Sequence, residues 1–204
     1  MHHASAVAGV ILFSCGLVAG QLLRPAAPQV VFVQAPPPAP ADVMPALALP
    51  PPPPPPVAMI WSSKVRAVSS QWGADDWSAK RALGAPDVYP ASGDQVNAWA
   101  SEGADDRAEF LELGFERAAR VSAVEIYETY NPGAVTQIEL IGASGARTVV
   151  HRARAEQLGS AAHLTRTDVG CTSEPIVAVR VTIDSRAVEG WNEIDAVGVA
   201  PCAE

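Results

Sequence analysis

The sequence has few of the residues, and none of the motifs, with which enzymes commonly do chemistry. It contains three cysteines and four histidines among 204 residues. No HExxH zinc motif, GxSxG nucleophile turn, CxxC pair or phosphate-binding glycine loop occurs in it. The two histidines of its C-terminal part, His151 and His163, fall near predicted strand ends and are interpreted as loop residues. These absences favour a non-catalytic protein.

Positive charge is also scarce. The chain has 14 lysines and arginines against 22 aspartates and glutamates, which gives a formal net charge of −8. Only Arg24 and Asp42 precede residue 61, and because they cancel, the whole net charge belongs to residues 61–204. An acidic domain without a basic cluster repels phosphate backbones, which argues against a nucleic-acid partner. Metal cations or neutral glycans suit such a surface better.

Charged side chains are missing from residues 4–23, which are mostly apolar. A helix of about 20 residues, at ~1.5 Å per residue, spans the ~30 Å hydrocarbon layer of a bilayer, so residues 1–24 are predicted to form a membrane anchor. A signal peptide cleaved near residues 18–20 is one alternative, although its usual basic start is missing. A lipoprotein box at residues 12–15, with Cys15 as the lipidated residue, is another.

Residues 25–60 are predicted to form a linker. They hold most of the chain's 19 prolines, including the uninterrupted run at residues 50–56, and Asp42 is their only charged residue. Such a sequence lacks amide donors and favours polyproline II, which rises ~3.1 Å per residue. We interpret the segment as a semi-rigid stalk, and a ligand for proline-reading domains is the alternative.

Long helical apolar stripes are absent after residue 60, although residues 153–162 are compatible with one or two helical turns. Short segments of alternating polarity are present instead. The residues expected to face a core along these segments are Leu111, Leu113, Phe115, Val124, Ile126, Ile138, Leu140, Val177, Val179, Val181 and Ile183. Several short strands separated by turn signals predict an all-β fold, a β-sandwich, in one domain over residues 61–204.

Two of the three cysteines fall in this domain. Cys171 precedes a late predicted strand and Cys202 follows the last one, so antiparallel strands would bring both to the same end of the sandwich. A disulfide closing a loop of about 30 residues contributes roughly 3–4 kcal/mol in an oxidising compartment. Two buried free thiols are the alternative.

The most informative segment is residues 80–100, KRALGAPDVYPASGDQVNAWA. Glycine and proline at this density prevent a helix or a regular ladder, so the backbone must take specific turns. A structured loop of this kind is stabilised by a buried aromatic side chain together with an ion or a hydrogen-bond network. We predict Trp99 as the buried aromatic residue, and Asp87 and Asp94 as acceptors.

Five sequence blocks follow one another in a specific order: ALGAPDVYP, GD…AWA, EFLELGF, YETYNPGAV and WNEIDAV. From near Val65 to Val199 the sequence resembles the discoidin-type, galactose-binding-like domain found in pappalysins and many bacterial exported proteins. The resemblance implies a galactose-binding-like (discoidin/jelly-roll) β-sandwich that faces the periplasm or the exterior. Pappalysins are zinc proteases, but nothing here matches their catalytic motif, so proteolysis is not implied.

Domains of this kind commonly hold a structural calcium ion, bound by the early loop and by a glutamate at the start of the last strand. The resemblance therefore implies calcium as a cofactor, with Asp87, Asp94 and Glu193 as its side-chain ligands. Backbone carbonyls of the turns would supply the rest of about six to eight oxygens. The sequence departs from the sugar-binding members by having Pro86-Asp87-Val88 in place of their aspartate-glycine pair. The alternative is that these acids cap turns or stay solvated.

Aromatic and amide side chains in the predicted loops form a candidate ligand surface at one end of the sandwich. Aromatic faces stack on sugar rings, and amide and acid groups bind hydroxyls. The candidate ligand-binding residues are Trp72, Trp77, Tyr89, Tyr130 and Asn131. Core or loop packing is the alternative for each of them. We expect Trp191 to lie in the core and Gly133 to take a positive φ.

These patterns predict a membrane-tethered, non-catalytic binding module for a glycan or another cell-envelope component. One alternative is a structural domain that docks an envelope protein. Another is a hydrolase that uses paired carboxylates, such as Asp75 with Asp76 or Asp105 with Asp106. Adjacent acids on solvated turns are far more often capping or exposed groups, which makes the hydrolase the weakest of the three.

Overall fold

The structure is a computed structural model in which residues 58–203 are described. The predicted anchor at residues 1–24, and nearly all of the predicted linker at residues 25–60, lie outside the described residues. Within residues 58–203 the helical elements are two short 3-10 turns, Ala79–Ala82 and Ser185–Ala187. No helix in this part of the chain has the length and hydropathy needed to cross a bilayer.

Residues 58–203 form nine strands in two antiparallel sheets, as the sequence predicted for an all-β sandwich. The strands are β1 (Ile60–Trp61), β2 (Lys64–Val68), β3 (Ala108–Ala119), β4 (Val121–Tyr130), β5 (Val135–Gly142), β6 (Arg147–Arg152), β7 (His163–Asp168), β8 (Ile176–Asp184) and β9 (Glu193–Pro201). One sheet has the order β1-β9-β4-β7, and the other has the order β2-β3-β8-β5-β6. The all-β prediction is confirmed.

The core lies between the two sheets, and polarity alternates along the strands that enclose it. Val124 and Ile126 of β4 are fully buried in the core, whereas Glu125 and Tyr127 lie on the opposite face of the same strand. The other residues expected to face inward are also in the core, except Val177, which is half-buried. A register shift between β5 and β8 lies next to Val177 and interrupts the alternation there.

The helical turns suggested for residues 153–162 are absent, so this prediction was wrong. The segment is extended and crosses the β4–β5 corner. Ala153 N donates to Thr136 O at 2.9 Å, and Glu156 N donates to Gly133 O at 3.0 Å. Because these amides bond to a neighbouring segment, they are not available for the intrahelical bonds that a helix requires. Gly133 has the expected positive φ, at 107°.

The predicted disulfide is present. Cys171 and Cys202 are joined by an S–S bond of 2.04 Å, with their Cα atoms 5.5 Å apart. The bridge connects the loop before β8 to the end of β9, and Cys202 N also donates to Arg120 O at 2.9 Å. It therefore fixes the C-terminal end of the domain to two earlier parts of the chain.

Gly133 provides a test of this packing, with Gly145 as its control. A Cβ at Gly133 would lie 1.9 Å from Glu156 O, whereas a Cβ at Gly145, φ 88°, meets nothing within 4 Å. Both alanine variants share a left-handed backbone cost of roughly 1–2 kcal/mol. We expect Gly133→Ala to lower the free energy of unfolding clearly more than Gly145→Ala, measured by urea unfolding of the full-length chain. Equal losses would show that residues 153–158 do not pack against this corner.

Candidate functional site

A surface pocket opens at the end of the sandwich where β9 begins. Its volume is about 160 Å³. The lining residues are Trp72, Trp77, Asp94, Ala100, Trp191 and Glu193. The loop between β2 and β3 supplies the first four, the connection into β9 supplies Trp191, and β9 itself begins with Glu193. This cavity is termed the tryptophan pocket below.

Trp77 lines the pocket, and its position is fixed by hydrogen bonds from its side chain and its backbone. Its Nε1 donates to Asp94 Oδ1 at 2.9 Å and to Glu193 Oε1 at 3.0 Å. Its backbone N donates to Val96 O at 3.0 Å. The ring of Trp72 packs edge-on against it, with ring centroids 4.8 Å apart, and the Trp72 side chain is 53% exposed. One fixed indole and one exposed indole therefore form adjacent walls.

Trp191 forms a further wall, which corrects the expectation that it lies in the core. It is 39% exposed. Its Nε1 donates to Ser101 O at 3.1 Å. The backbone around it is held from two directions, by Asn131 Nδ2 donating to Trp191 O at 3.0 Å and by Gly190 N donating to Asp105 Oδ1 at 2.8 Å. Gly190, with φ 86°, turns the chain before Trp191, which lies ahead of the last strand as the sequence predicted.

Unfavourable backbone conformations are concentrated around this pocket. Among residues 58–203, the non-glycine residues with positive φ are Trp77 at 51°, Asp105 at 56° and Asn131 at 42°. Trp77 lines the pocket, and the other two hold the Trp191 loop. Such conformations cost on the order of 1–3 kcal/mol each and persist only where surrounding contacts fix them. Their location indicates that the positions of these indoles are imposed by the fold.

Glu193 is the buried acid of the pocket, with only 1% of its surface exposed. Its Oε2 accepts a hydrogen bond from Gln95 N at 3.1 Å. Burial, together with the neighbouring Asp94 carboxyl, raises its pKa to about 8, and the Gln95 and Trp77 N–H groups act in the opposite direction. The pocket therefore contains two adjacent carboxyl groups of which one holds a proton at neutral pH.

Asp195 lies two residues after Glu193 on β9 and also binds the loop between β2 and β3. It is 1% exposed, and its carboxyl oxygens accept bonds from the backbone N–H groups of Asp87, Val88 and Tyr89 at 3.3, 3.2 and 2.9 Å. Burial raises the pKa of Asp195, and the three amides oppose that shift. The predicted hydrogen-bond network of the loop is thus formed by two acids of β9.

The side chains do not fit the calcium site that the resemblance implies. Asp94 and Glu193 lie together, but Asp87 Oδ2 accepts a bond from Asn97 Nδ2 at 3.4 Å, away from that pair. Within residues 58–203 no group of three or more His, Cys, Asp or Glu side chains is placed to hold a metal ion. The loop also directs amide N–H groups at the buried acids, and a cation requires oxygen atoms instead.

The remaining candidate ligand residues lie near the pocket without lining it. Tyr89 packs edge-on against Tyr127, with ring centroids 5.0 Å apart, on the outer face of the β4 sheet. Tyr130 lies opposite Glu193 in the β4–β9 ladder. Asn131 supports the Trp191 loop, as described above. Trp99 is completely buried, as predicted, and its Nε1 donates to Ser70 O at 3.1 Å.

The paired aspartates considered for a hydrolase have structural contacts. Asp76 forms an ion pair with Arg81 at 3.2 Å, and Asp106 forms one with Arg107 at 3.8 Å. Asp105 accepts the Gly190 amide. None of the four aspartates lines the tryptophan pocket. Their geometry is that of exposed loop residues.

Two antiparallel sheets with a loop-built aromatic pocket at one end define a discoidin-type β-sandwich domain. The chain belongs to the family described as "Pappalysin-1, SD scarf domain, C-terminal", whose profile matches residues 57–203. No curated protein matches the chain.

Three solved structures show the same fold. The family 32 carbohydrate-binding module of Streptococcus pneumoniae EndoD is 10% identical, and the match covers 71% of this chain and 100% of that one, with a TM-score of 0.52. The Clostridium perfringens module CpGH89CBM32-4, in complex with GlcNAc-alpha-1,4-galactose, is 13% identical over 68% and 89% of the two chains, with a TM-score of 0.51. Reduced XRCC1, bound to the DNA polymerase beta catalytic domain, is 12% identical over 72% and 100%, with a TM-score of 0.54.

The pH dependence of stability tests the buried pair of acids. Because the pKa of Glu193 is about 8 in the folded state and near 4.5 when unfolded, the native state keeps a proton that the unfolded state releases between these values. Stability is therefore greatest below about pH 4.5 for this group, and it falls as pH rises through about 8. Asp94→Asn removes a neighbouring negative charge, so we expect it to raise the melting temperature at alkaline pH more than at acidic pH.

The matched control is Asp75→Asn, which removes an equal charge from an exposed loop residue outside the pocket. Thermal melts of the full-length chain at acidic and alkaline pH compare the two variants. If Asp94→Asn and Asp75→Asn shift the melting temperature equally at both ends of this pH range, Asp94 and Glu193 are not coupled.

Proposed function

We propose that this domain is a non-catalytic binding module that takes a glycan in the tryptophan pocket. The observation that carries the proposal is the arrangement of three indoles, Trp72, Trp77 and Trp191, around the carboxyl groups of Asp94 and Glu193. Indole faces stack on the apolar faces of sugar rings, and carboxyl oxygens accept bonds from sugar hydroxyls. In an aromatic cavity, a small number of polar groups fixes the orientation of a bound ligand.

Two of the similar solved structures support the proposal that the domain binds a glycan. Both are carbohydrate-binding modules, and one was solved with GlcNAc-alpha-1,4-galactose bound. Carbohydrate binding is transferred to this chain as a hypothesis, because identities of 10% and 13% establish only the fold. The pocket residues of this chain are what make the hypothesis specific.

Removal of the exposed indole tests the pocket. Trp72 is 53% exposed, so Trp72→Ala removes a stacking surface with little change in the core. Leu158→Ala is the matched control, because Leu158 is 51% exposed and lies outside the pocket. We expect Trp72→Ala to weaken glycan binding at least about tenfold, equivalent to about 1.4 kcal/mol, and Leu158→Ala to leave it unchanged.

A glycan array screened with the full-length chain, in a detergent without a sugar headgroup, makes this measurement. Glycan signals that persist unchanged in Trp72→Ala would contradict the pocket assignment. The absence of every glycan signal, together with recovery of one envelope protein by pull-down, would support the alternative of a protein-docking domain.

We propose further that the domain is tethered to a membrane and faces the periplasm or the exterior. The apolar residues 4–23 and the proline-rich residues 25–60 supply an anchor and a stalk in the sequence. The Cys171–Cys202 disulfide supports export, because disulfides persist in oxidising compartments and are rare in the cytosol.

Membrane fractionation of a Gram-negative host that expresses the chain tests the tether. We expect the full-length chain to stay with the membrane after an alkaline wash, since an apolar anchor is not removed by charge changes. Protease added to spheroplasts is expected to degrade the domain. A variant lacking residues 1–24 serves as the control and is expected to lose the membrane association. Recovery of the full-length chain in the soluble fraction would contradict the tether, and protection from protease would contradict the orientation.

A further inference from the structure

The tryptophan pocket carries negative charge without a matching positive side chain. Its lining contains the carboxyl groups of Asp94 and Glu193 and no lysine, arginine or histidine. Neither acid forms an ion pair within the described residues 58–203. The pocket therefore presents acceptor oxygens and aromatic faces to a ligand, and its lining contains no positively charged side chain.

Three other buried glutamates of the domain have arginine partners. Glu109 pairs with Arg107 at 2.7 Å, and Glu112 pairs with Arg180 at 2.9 Å. Glu125 pairs with Arg166 in the same way. Pairing of this kind offsets the cost of removing a carboxylate from water. Glu193 is buried as well, but it has no arginine partner among residues 58–203.

Glu128 and Asp195 also lack an arginine partner among residues 58–203, but neither lines the tryptophan pocket. Asp195 accepts three backbone amides, so its oxygens are satisfied within the protein. Glu128 accepts bonds from Gly133 N at 2.9 Å and from Thr165 Oγ1 at 2.9 Å. These two acids hold loops and strands together; Glu128 lines a different cavity, which also contains His151 and Arg166, whereas the lining of the tryptophan pocket has no basic side chain.

The pocket acids have unused acceptor capacity. A carboxylate has about four acceptor positions on its two oxygens. Trp77 Nε1 is shared between Asp94 and Glu193, and Gln95 N supplies one further bond to Glu193. Asp94 is exposed, accepts the Trp77 bond and shares the proton that Glu193 holds, which leaves part of its acceptor capacity unused. A donor on a ligand can therefore reach Asp94 without displacing a protein group.

The indoles of the pocket favour a donor that is positively charged. A cation over an aromatic face is attracted by the ring quadrupole, most strongly for tryptophan, by about 0.5–2 kcal/mol. Three indoles and two acids line one cavity of about 160 Å³. That volume is well below the ~300–1,000 Å³ of typical drug-sized sites, so it suits one ring or one head group.

We propose that the tryptophan pocket selects a ligand bearing a positively charged ammonium group, such as a sugar with a free amine or a quaternary-ammonium headgroup. If the ligand is a sugar with a free amine, the inference rests on the function proposed above and specifies the class of glycan that binds. The ammonium lies against Asp94 and Glu193, with the indole faces of Trp72 and Trp191 around it. An uncharged acetamide in the same place leaves Asp94 without a counter-charge.

The test compares matched ligands by isothermal titration calorimetry. A glucosamine oligosaccharide is compared with its fully N-acetylated counterpart at a mildly acidic pH at which the amine is protonated, and choline chloride is the third ligand. The protein is the full-length chain in a detergent without a sugar headgroup. We expect the amine form to bind at least about tenfold more tightly than the acetylated form. Added salt is expected to weaken the amine form selectively.

Each result separates this inference from the function proposed above. Equal affinity for the two oligosaccharides would overturn the ammonium selectivity and leave glycan binding standing. Binding of choline alone would support the ammonium site, identify a headgroup as its source and remove the glycan function. No binding of any of the three ligands would overturn the ammonium site, and the glycan array described above would then decide whether the pocket takes another glycan.

Asp94→Asn gives a second, independent readout. Asparagine keeps the size of the side chain and an oxygen that accepts the Trp77 bond, so the indole stays in place. We expect this variant to lose at least about tenfold more affinity for the amine ligand than for the acetylated one. Asp75→Asn, the same charge change outside the pocket, is expected to change neither. An equal loss for both ligands in Asp94→Asn would point to a structural role and overturn the proposal.

Discussion

Hydrogen bonds between two buried acids and loop amides hold the functional end of this domain together. Glu193 and Asp195 lie at the start of β9, and they accept the backbone N–H groups of residues 87–89 and 95. The loop that carries these amides has no regular ladder, so the amides would otherwise be unpaired. An intramolecular hydrogen bond contributes about 0.5–1.5 kcal/mol net, and a buried amide left unpaired costs about 1–3 kcal/mol. The position of Trp77 follows, because its Nε1 also bonds to Glu193.

The sandwich could be predicted from the sequence because its core obeys a simple period. Leu111, Leu113 and Phe115 are buried and alternate with other residues, and an alternation of this kind is visible in the amino-acid order alone. β7 was not predicted. Its sequence, HLTRTD, lies at a sheet edge, where one side meets solvent and apolar alternation is not required.

The site was predicted only in part, for a different physical reason. The sequence identified Trp72, Trp77, Asp94 and Glu193 as functional candidates but assigned the two acids to a metal. A carboxylate beside a glycine- and proline-rich loop can meet either carbonyls with a cation or amide N–H groups, and backbone conformation decides which. At residues 87–89 the amides point at Asp195. Trp191 was correctly placed before the last strand but was expected in the core; it is 39% exposed, because side-chain burial in a loop depends on the packing of the surrounding loops and not on a sequence period.

The burial of Glu193 disfavours its ionised form and also determines the chemistry of the tryptophan pocket. Removing Glu193 from water raises its pKa to about 8, so its ionised form is unfavourable in the folded protein without a ligand. An apolar residue there would avoid that cost, but the loop would lose its acceptor for Gln95 N and Trp77 Nε1. Low local polarity also strengthens any charge interaction made inside the pocket. A positive charge placed beside Glu193 would favour its ionised form, so ligand binding and the protonation of this one carboxyl group are coupled.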